Sequence, residues 1–164
     1  MTPNRLVILG RDGTINAFRG DHVKSPDEWE PLPGALEAIA RIHHAGWHVV
    51  VATNQPGIGR GMYDMASLNA VHAHMMAMVA GAGGRIDAVF FCPHAPGEVC
   101  ECRKPLPGLL LEIGERYGVH MKDVVAVGAE DEVDAVVGVH FVVARSAEDK
   151  VGRAAEVADA QIVE

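Results

Sequence analysis

The sequence has no apolar run of membrane length. Segments such as Val49–Ala52 and Val89–Phe91 are strand-sized, far below the roughly 18 residues a spanning helix needs. A secretory leader is not expected either, because Arg5 is followed by only four apolar residues, Leu6–Leu9. The expected location is therefore the cytoplasm. Positive charge is short as well: the net charge is −8 with nine His counted neutral. Such a chain lacks the basic face that neutralises nucleic-acid phosphates, so nucleic-acid and membrane partners are excluded. Cysteine is scarce, three in all and so an odd number for a disulfide framework. All three lie within Cys92–Cys102, and crowding of that kind in a cytoplasmic chain suggests a metal. Internal repeats, low-complexity tracts and linkers are absent. The 164 residues suffice for one hydrophobic core and hardly for two, so a single domain over 1–164, acting as a monomer, is expected.

What is present is an ordinary globular composition, 49% apolar and 22% charged. Short apolar runs alternate with helix-period segments, the pattern of a Rossmann-like α/β fold with helices on both faces of a parallel sheet. Five strands are expected at Arg5–Leu9, His48–Thr53, Ile86–Phe91, Val124–Gly128 and His140–Ala144, with a weaker sixth at Gln161–Val163. Helical spacing predicts Ala35–Ala45, with Leu36, Ile39, Ala40 and His43 on one face. It also predicts Met65–Val79, with Leu68, Val71, Met75, Met78 and Val79 in register and its four Met filling core. Leu109–Tyr117 and Ala147–Ala158 read as further helices, the latter capped by Ser146 and Asp149. The loop Ile15–Pro33, with a one-turn signal at Ser25–Glu28, is long for a compact domain and is expected to be functional.

Ligands of open α/β sheets bind beyond the carboxyl ends of the strands. The residues there are Gly10–Asn16 after the first strand, Thr53–Gly61 after the second, Cys92–His94 and Cys102–Pro105 after the third, and Gly128–Asp131 after the fourth. Thr53 and Asn54 offer a hydroxyl, an amide and backbone N–H groups to a phosphate. Lys104 is a point cation and Arg103 a bidentate fork. Arg60, between Gly59 and Gly61, is a weaker candidate.

The spacing Cys92-x-His94-x5-Cys100-x-Cys102 brings four soft or borderline donors into eleven residues, enough to close a tetrahedron around zinc. Four protein ligands leave no position for water, so this zinc would be structural. The other eight His have no partner pattern and are expected on the surface or in the core.

Taken together, Arg11-Asp12-Gly13-Thr14-Ile15-Asn16, Thr53-Asn54-Gln55, the Cys-x-His…Cys-x-Cys clip and Cys102-Arg103-Lys104-Pro105 resemble the D-glycero-D-manno-heptose 1,7-bisphosphate 7-phosphatase branch of the haloacid dehalogenase superfamily, with histidinol-phosphate phosphatases as near relatives. The resemblance runs from Arg5 to about Gly128. It implies the haloacid-dehalogenase fold, a role in heptose and carbohydrate metabolism, and magnesium-dependent phosphate-ester hydrolysis. In that family the first strand ends in Asp-x-Asp-Gly-Thr. The first Asp attacks phosphorus and ligates magnesium; the second protonates the leaving alkoxide and then activates water. By position, the resemblance makes Asp12 the acid/base residue, with Thr53, Arg103 and Lys104 completing the catalytic set and the phosphoryl hold. Asn54, Gln55, Arg60 and Arg103 would face the substrate.

Two departures change the expectation. The nucleophile position is Gly10, which has no side chain to form an acyl phosphate. The fourth motif, Gly-Asp-x-x-x-Asp in the family, aligns as Gly128-Ala129-Glu130-Asp131-Glu132-Val133, without either carboxylate in place. Only Asp12 is left as a residual magnesium ligand. The expected protein is a catalytically impaired relative that keeps a phosphate or sugar-phosphate pocket. The alternative is an active magnesium-dependent phosphatase that recruits Glu130 or Asp131 to the metal.

Overall fold

The computed structural model describes residues 4–128 and 140–142. Among the described residues the centre is a five-stranded parallel sheet. The strands are β1 (Leu6–Leu9), β2 (His48–Asn54), β3 (Ala88–Cys92), β4 (Val124–Val127) and β5 (His140–Val142). They lie in the order β3-β2-β1-β4-β5. Leu6 is opposite His48 on one side and Val124 on the other, so β1 is central and buried along its whole length. Parallel strands covered on both faces read as unbroken apolar runs, which is why these segments were legible without alternation.

The helices are α1 (Ala35–His44), the single turn α2 (Pro56–Gly59), α3 (Met65–Gly81) and α4 (Gly108–Tyr117). Alternate strand residues feed two cores. Val7, Leu9, Val49, Val51, Val125 and Val127 pack with Ile39 and Ile42 of α1 and with Val71, Met75 and Val79 of α3. Leu6, Ile8, Val50, Ala52, Val124 and Ala126 pack on the other face with Leu109, Leu110 and Ile113 of α4. Ile15–Pro33 carries the expected turn as a 3₁₀ segment, Pro26–Glu28.

Several expectations need correction. The third strand starts at Ala88 rather than at Ile86, because the Asp87 carboxylate accepts the Val49 N–H at 3.1 Å beside the strand's start. The buried face of α1 is Ala35, Ala38, Ile39 and Ile42 rather than the stripe through Leu36, Ala40 and His43. Ile42 demands burial more strongly than His43, and this rotates the face. Of the four Met in α3, only Met75 is fully buried; Met65 and Met78 are exposed and Met76 lies at the edge of the core. The fifth strand is described as far as Val142. The helix Ala147–Ala158 with its Ser146/Asp149 cap, the strand Gln161–Val163 and the segment Ala129–Asp134 lie outside the described residues. Among the described residues, no helix is long and apolar enough to cross a membrane.

Sheet order also fixes where a ligand can enter. Connections leave β1 toward β2 on one side and reach β4 on the other, which opens a crevice beyond their carboxyl ends. Gly10 sits at that switch point, buried, and donates its N–H to Val127 O at 2.8 Å.

Candidate functional site

A buried polar network occupies the carboxyl ends of β1 and β2. Arg11 is almost fully buried and reaches Asp12 Oδ1 through Nη2 at 2.9 Å. Its Nη1 lies 3.0 Å from His72 Nε2 on α3. A guanidinium can only donate, so Nε2 accepts and His72 is the neutral Nδ1–H tautomer. Burial, and then the Arg11 charge, push the His72 pKa down to about 4, in agreement with that tautomer. Asn16 Nδ2 donates to Asp12 Oδ1 at 3.0 Å and Gln55 Nε2 donates to Asp12 Oδ2 at 3.1 Å. Gln55 Nε2 also donates to Thr53 Oγ1 at 2.9 Å, while its carbonyl accepts from the Tyr63 hydroxyl at 2.5 Å. Burial raises the Tyr63 pKa to about 12, so its hydroxyl stays a donor.

A second bracket joins β2 to the loop after β3. Asn54 Nδ2 donates to Lys104 O and Asn54 Oδ1 accepts the Lys104 N–H, both at 3.0 Å. This pair fixes the Lys104 backbone, and the residue is buried at the same end of the sheet as Thr53. Arg103 Nη1 turns back to Ala95 O at 2.8 Å. Arg60 is exposed, with Nη1 3.5 Å from His22 Nε2. Glycine is required twice on the β2 loop. A Cβ on Gly57 would enter the Tyr63 ring, and one on Gly59 would meet Ala95 N at 2.5 Å and Pro93 O at 2.8 Å.

Five of the residues expected at the site are therefore brought together, whereas Arg60 lies by His22 and Arg103 turns to Ala95 O. Asp12, Thr53, Asn54, Gln55 and Lys104 form one contiguous set. Gln55, expected to face the substrate, is buried and braces Asp12; Asn54 has both side-chain polar atoms on the Lys104 backbone. Arg11, Asn16, Tyr63 and His72 had no expected role. For His72 there was one signal, a histidine within the apolar register of Leu68, Val71, Met75 and Val79. Its partner Arg11 is 61 residues away, a separation that no spacing rule spans.

Cys92, His94, Cys100 and Cys102 place one donor atom each so that all four lie within 4.8 Å of one another. The His94 ring turns Nδ1 inward, 3.3 Å from Cys92 Sγ and 3.2 Å from Cys102 Sγ. Without a cation, burial and the neighbouring sulfurs of Cys92 and Cys100 push the Cys102 thiol up to about 12. Three thiolates this close need a dication between them, so the donor set fits a metal with tetrahedral preference. Magnesium is a different matter. Among the described residues the end of β1 offers one carboxylate, Asp12, already bound by Arg11, Asn16 and Gln55, and Gly10 offers no side chain. That donor set does not fit a hard cation that takes several oxygen ligands.

Comparison with known proteins decides the family. The chain is 52% identical over 123 residues to a D-glycero-beta-D-manno-heptose-1,7-bisphosphate 7-phosphatase from Pseudomonas aeruginosa, covering 75% of this chain and 69% of that protein. It is 53% identical over 124 residues to the enzyme of that name from Bordetella bronchiseptica, covering 76% and 69%. The chain belongs to the heptose-1,7-bisphosphate 7-phosphatase family. Among solved structures it resembles the D,D-heptose 1,7-bisphosphate phosphatase of B. bronchiseptica complexed with magnesium and phosphate. The TM-score is 0.80 and the identity 37%, over 97% of this chain and 98% of that one. The phosphatase from Burkholderia thailandensis gives a TM-score of 0.62 at 34% identity, over 98% and 100%. No family model matches the chain. Within this heptose-bisphosphate phosphatase fold, the parallel α/β sheet and the Cys/His cluster are both in place.

Proposed function

We propose that this member of the family binds phosphate or a sugar phosphate and does not hydrolyse it at a useful rate. One observation carries the reading: the nucleophile position is Gly10, while the Asp12 carboxylate is engaged by three side chains of its own protein. A phosphoryl group therefore has no attacking oxygen at the end of β1. In contrast, the residues read as holding phosphate sit on braced backbone, which supports the binding half of the proposal. Asn54 fixes the Lys104 backbone, Gln55 holds the Thr53 hydroxyl at the same end of the sheet, and the Cys/His clip lies on the loop that carries Arg103 and Lys104. In this reading the clip holds one structural zinc.

Asp12 serves here as the counter-ion of buried Arg11 and, through Gln55, orients Thr53. An active relative would add two further carboxylates close to the phosphate and rely on magnesium to offset them. Like charges about 4 Å apart repel by roughly 4 kcal/mol at an effective dielectric near 20, so their loss favours a bare dianion. Binding without magnesium follows. Calorimetric titration with inorganic phosphate, run with and without millimolar magnesium, tests it. Equal affinity in both buffers, abolished by Lys104→Ala, is the expected result. Binding only with magnesium, together with turnover of heptose 1,7-bisphosphate, would instead establish the active-phosphatase alternative.

A further inference from the structure

Among the described residues β3 is an edge strand, paired with β2 on one side only. An open row of N–H and C=O groups is a template for another strand, so natural edges are usually blunted by charge, proline or a bulge. The run Ala88-Val89-Phe90-Phe91-Cys92 carries neither charge nor proline, and Ala88 to Phe91 are each only half-buried. Asp87 donates its N–H to Val49 O at 2.8 Å. In a parallel ladder every second residue turns its backbone to the same neighbour. Val89 and Phe91 therefore also face β2, while Ala88 and Phe90 point their backbone groups outward. Beside that edge lies a groove of about 320 Å³, lined by the strand from Ala88 to Phe91 and by Leu109, Glu112 and Arg116 of α4. Glu112 and Arg116 are exposed and stand one helical turn apart, the order that closes an ion pair on a helix. Here the pair does not close. The Arg116 guanidinium lies over the Phe90 ring, 5.8 Å from its centroid, and Glu112 has no ion-pair partner among the described residues.

We propose that the β3 edge and this face of α4 pair with a second copy of this chain, the two sheets joining antiparallel about a two-fold axis at Val89. That axis sets Ala88 opposite Phe90 of the second copy and Phe90 opposite its Ala88, so every outward-facing backbone group of the two residues gains a partner. It also lays α4 antiparallel beside its copy. Glu112 of each chain then meets Arg116 of the other, completing twice the ion pair that neither helix closes alone. An isologous interface requires self-complementarity of this kind. It favours a second copy over a foreign strand, which the backbone edge alone would accept as readily. Five edge residues and one helix face make a small interface, so the dimer is weak and depends on concentration. A monomer is what the sequence alone leads one to expect, since an edge strand reads no differently from a central one until the sheet order is known.

Sedimentation velocity of the full chain, from about 1 μM to about 1 mM in reducing buffer, tests the proposal without interference from disulfide-linked pairs. The mass should rise from one chain to two across that range. Ala88→Pro removes an outward N–H and no ladder bond, a change that the first residue of an edge strand tolerates. It should weaken the dimer about tenfold. Glu112→Arg and Arg116→Glu each set like charges against one another across the axis, and each variant alone should stay monomeric. Mixed in equal amounts they should associate, because each supplies the charge that the other lacks. Amide exchange at Ala88 and Phe90 should slow as the wild-type concentration rises. A wild type that is still one chain at about 1 mM would overturn the proposal. So would a dimer that survives both charge reversals, or a mixture of the two variants that stays monomeric.

Discussion

The two ends of the candidate site carry side chains of different chemistry. On the β3 side, Cys92, His94, Cys100 and Cys102 form a complete donor set, and the chain leaving it runs straight into Arg103 and Lys104, clamped by Asn54. On the β1 side, the described residues of the same scaffold carry Gly10 and a single carboxylate, Asp12, tied to buried Arg11. In the proposed reading, the first side positions an anion and the second lacks the group that would attack it. If the proposed reading holds, the contrast separates two parts of one fold, since positioning a phosphate comes from backbone clamps and cations while cleaving its ester needs a nucleophile and its metal.

The largest expected effect lies on the intact side. Protein purified without added metal should contain one zinc per chain by elemental analysis. Structural zinc contributes on the order of 10–16 kcal/mol in small sites. Cys100→Ser should therefore lose the metal, disorder the loop around 92–102 and abolish phosphate binding by displacing Lys104. The far-UV circular dichroism of the sheet should survive. Metal-free protein with reduced thiols and full phosphate affinity would erase the distinction between the two sides.

Next comes the depleted side. Hydrolysis of heptose 1,7-bisphosphate should run about 10⁴–10⁶-fold below a family enzyme assayed in parallel. Gly10→Asp alone should recover little, because Ala129 still leaves the position short of a carboxylate. Gly10→Asp with Ala129→Asp should recover more. A single mutant that already turns over at a family-like rate would mean that Glu130 or Asp131 serves the metal.

A smaller effect sharpens the same contrast through Arg11, whose other partner is His72. His72 titrates near 4 when folded, below its value of about 6.5 when unfolded. The unfolded chain therefore takes up the proton first as pH falls. Stability is full above pH 6.5, declines between there and pH 4, and levels off below, a loss of roughly 3 kcal/mol. Urea denaturation across that range should follow this slope, and His72→Gln, which keeps an acceptor for Arg11, should flatten it. An equal slope in the variant would place the titration elsewhere.

Much of this was legible in the linear chain because local chemistry enforces it. Short, β-branched apolar runs such as Val49–Ala52 favour strands buried on both faces, and donors spaced as Cys92-x-His94 and Cys100-x-Cys102 converge through short loops. Gly10 and Ala129 are absences that one position each reveals. Local register was less reliable where two residues competed for one face, as Ile42 and His43 do on α1.

The sequence by itself determined the family, the parallel sheet, the Cys/His clip and the glycine that ends the first strand, since each depends on residue type at short range. Tertiary structure alone decided which polar groups are occupied. Gln55 turns inward to Asp12, His72 meets Arg11 from another helix, and His22 reaches Arg60. Those pairings join residues that are distant in the chain, and burial forces each polar group to find a partner wherever the fold supplies one.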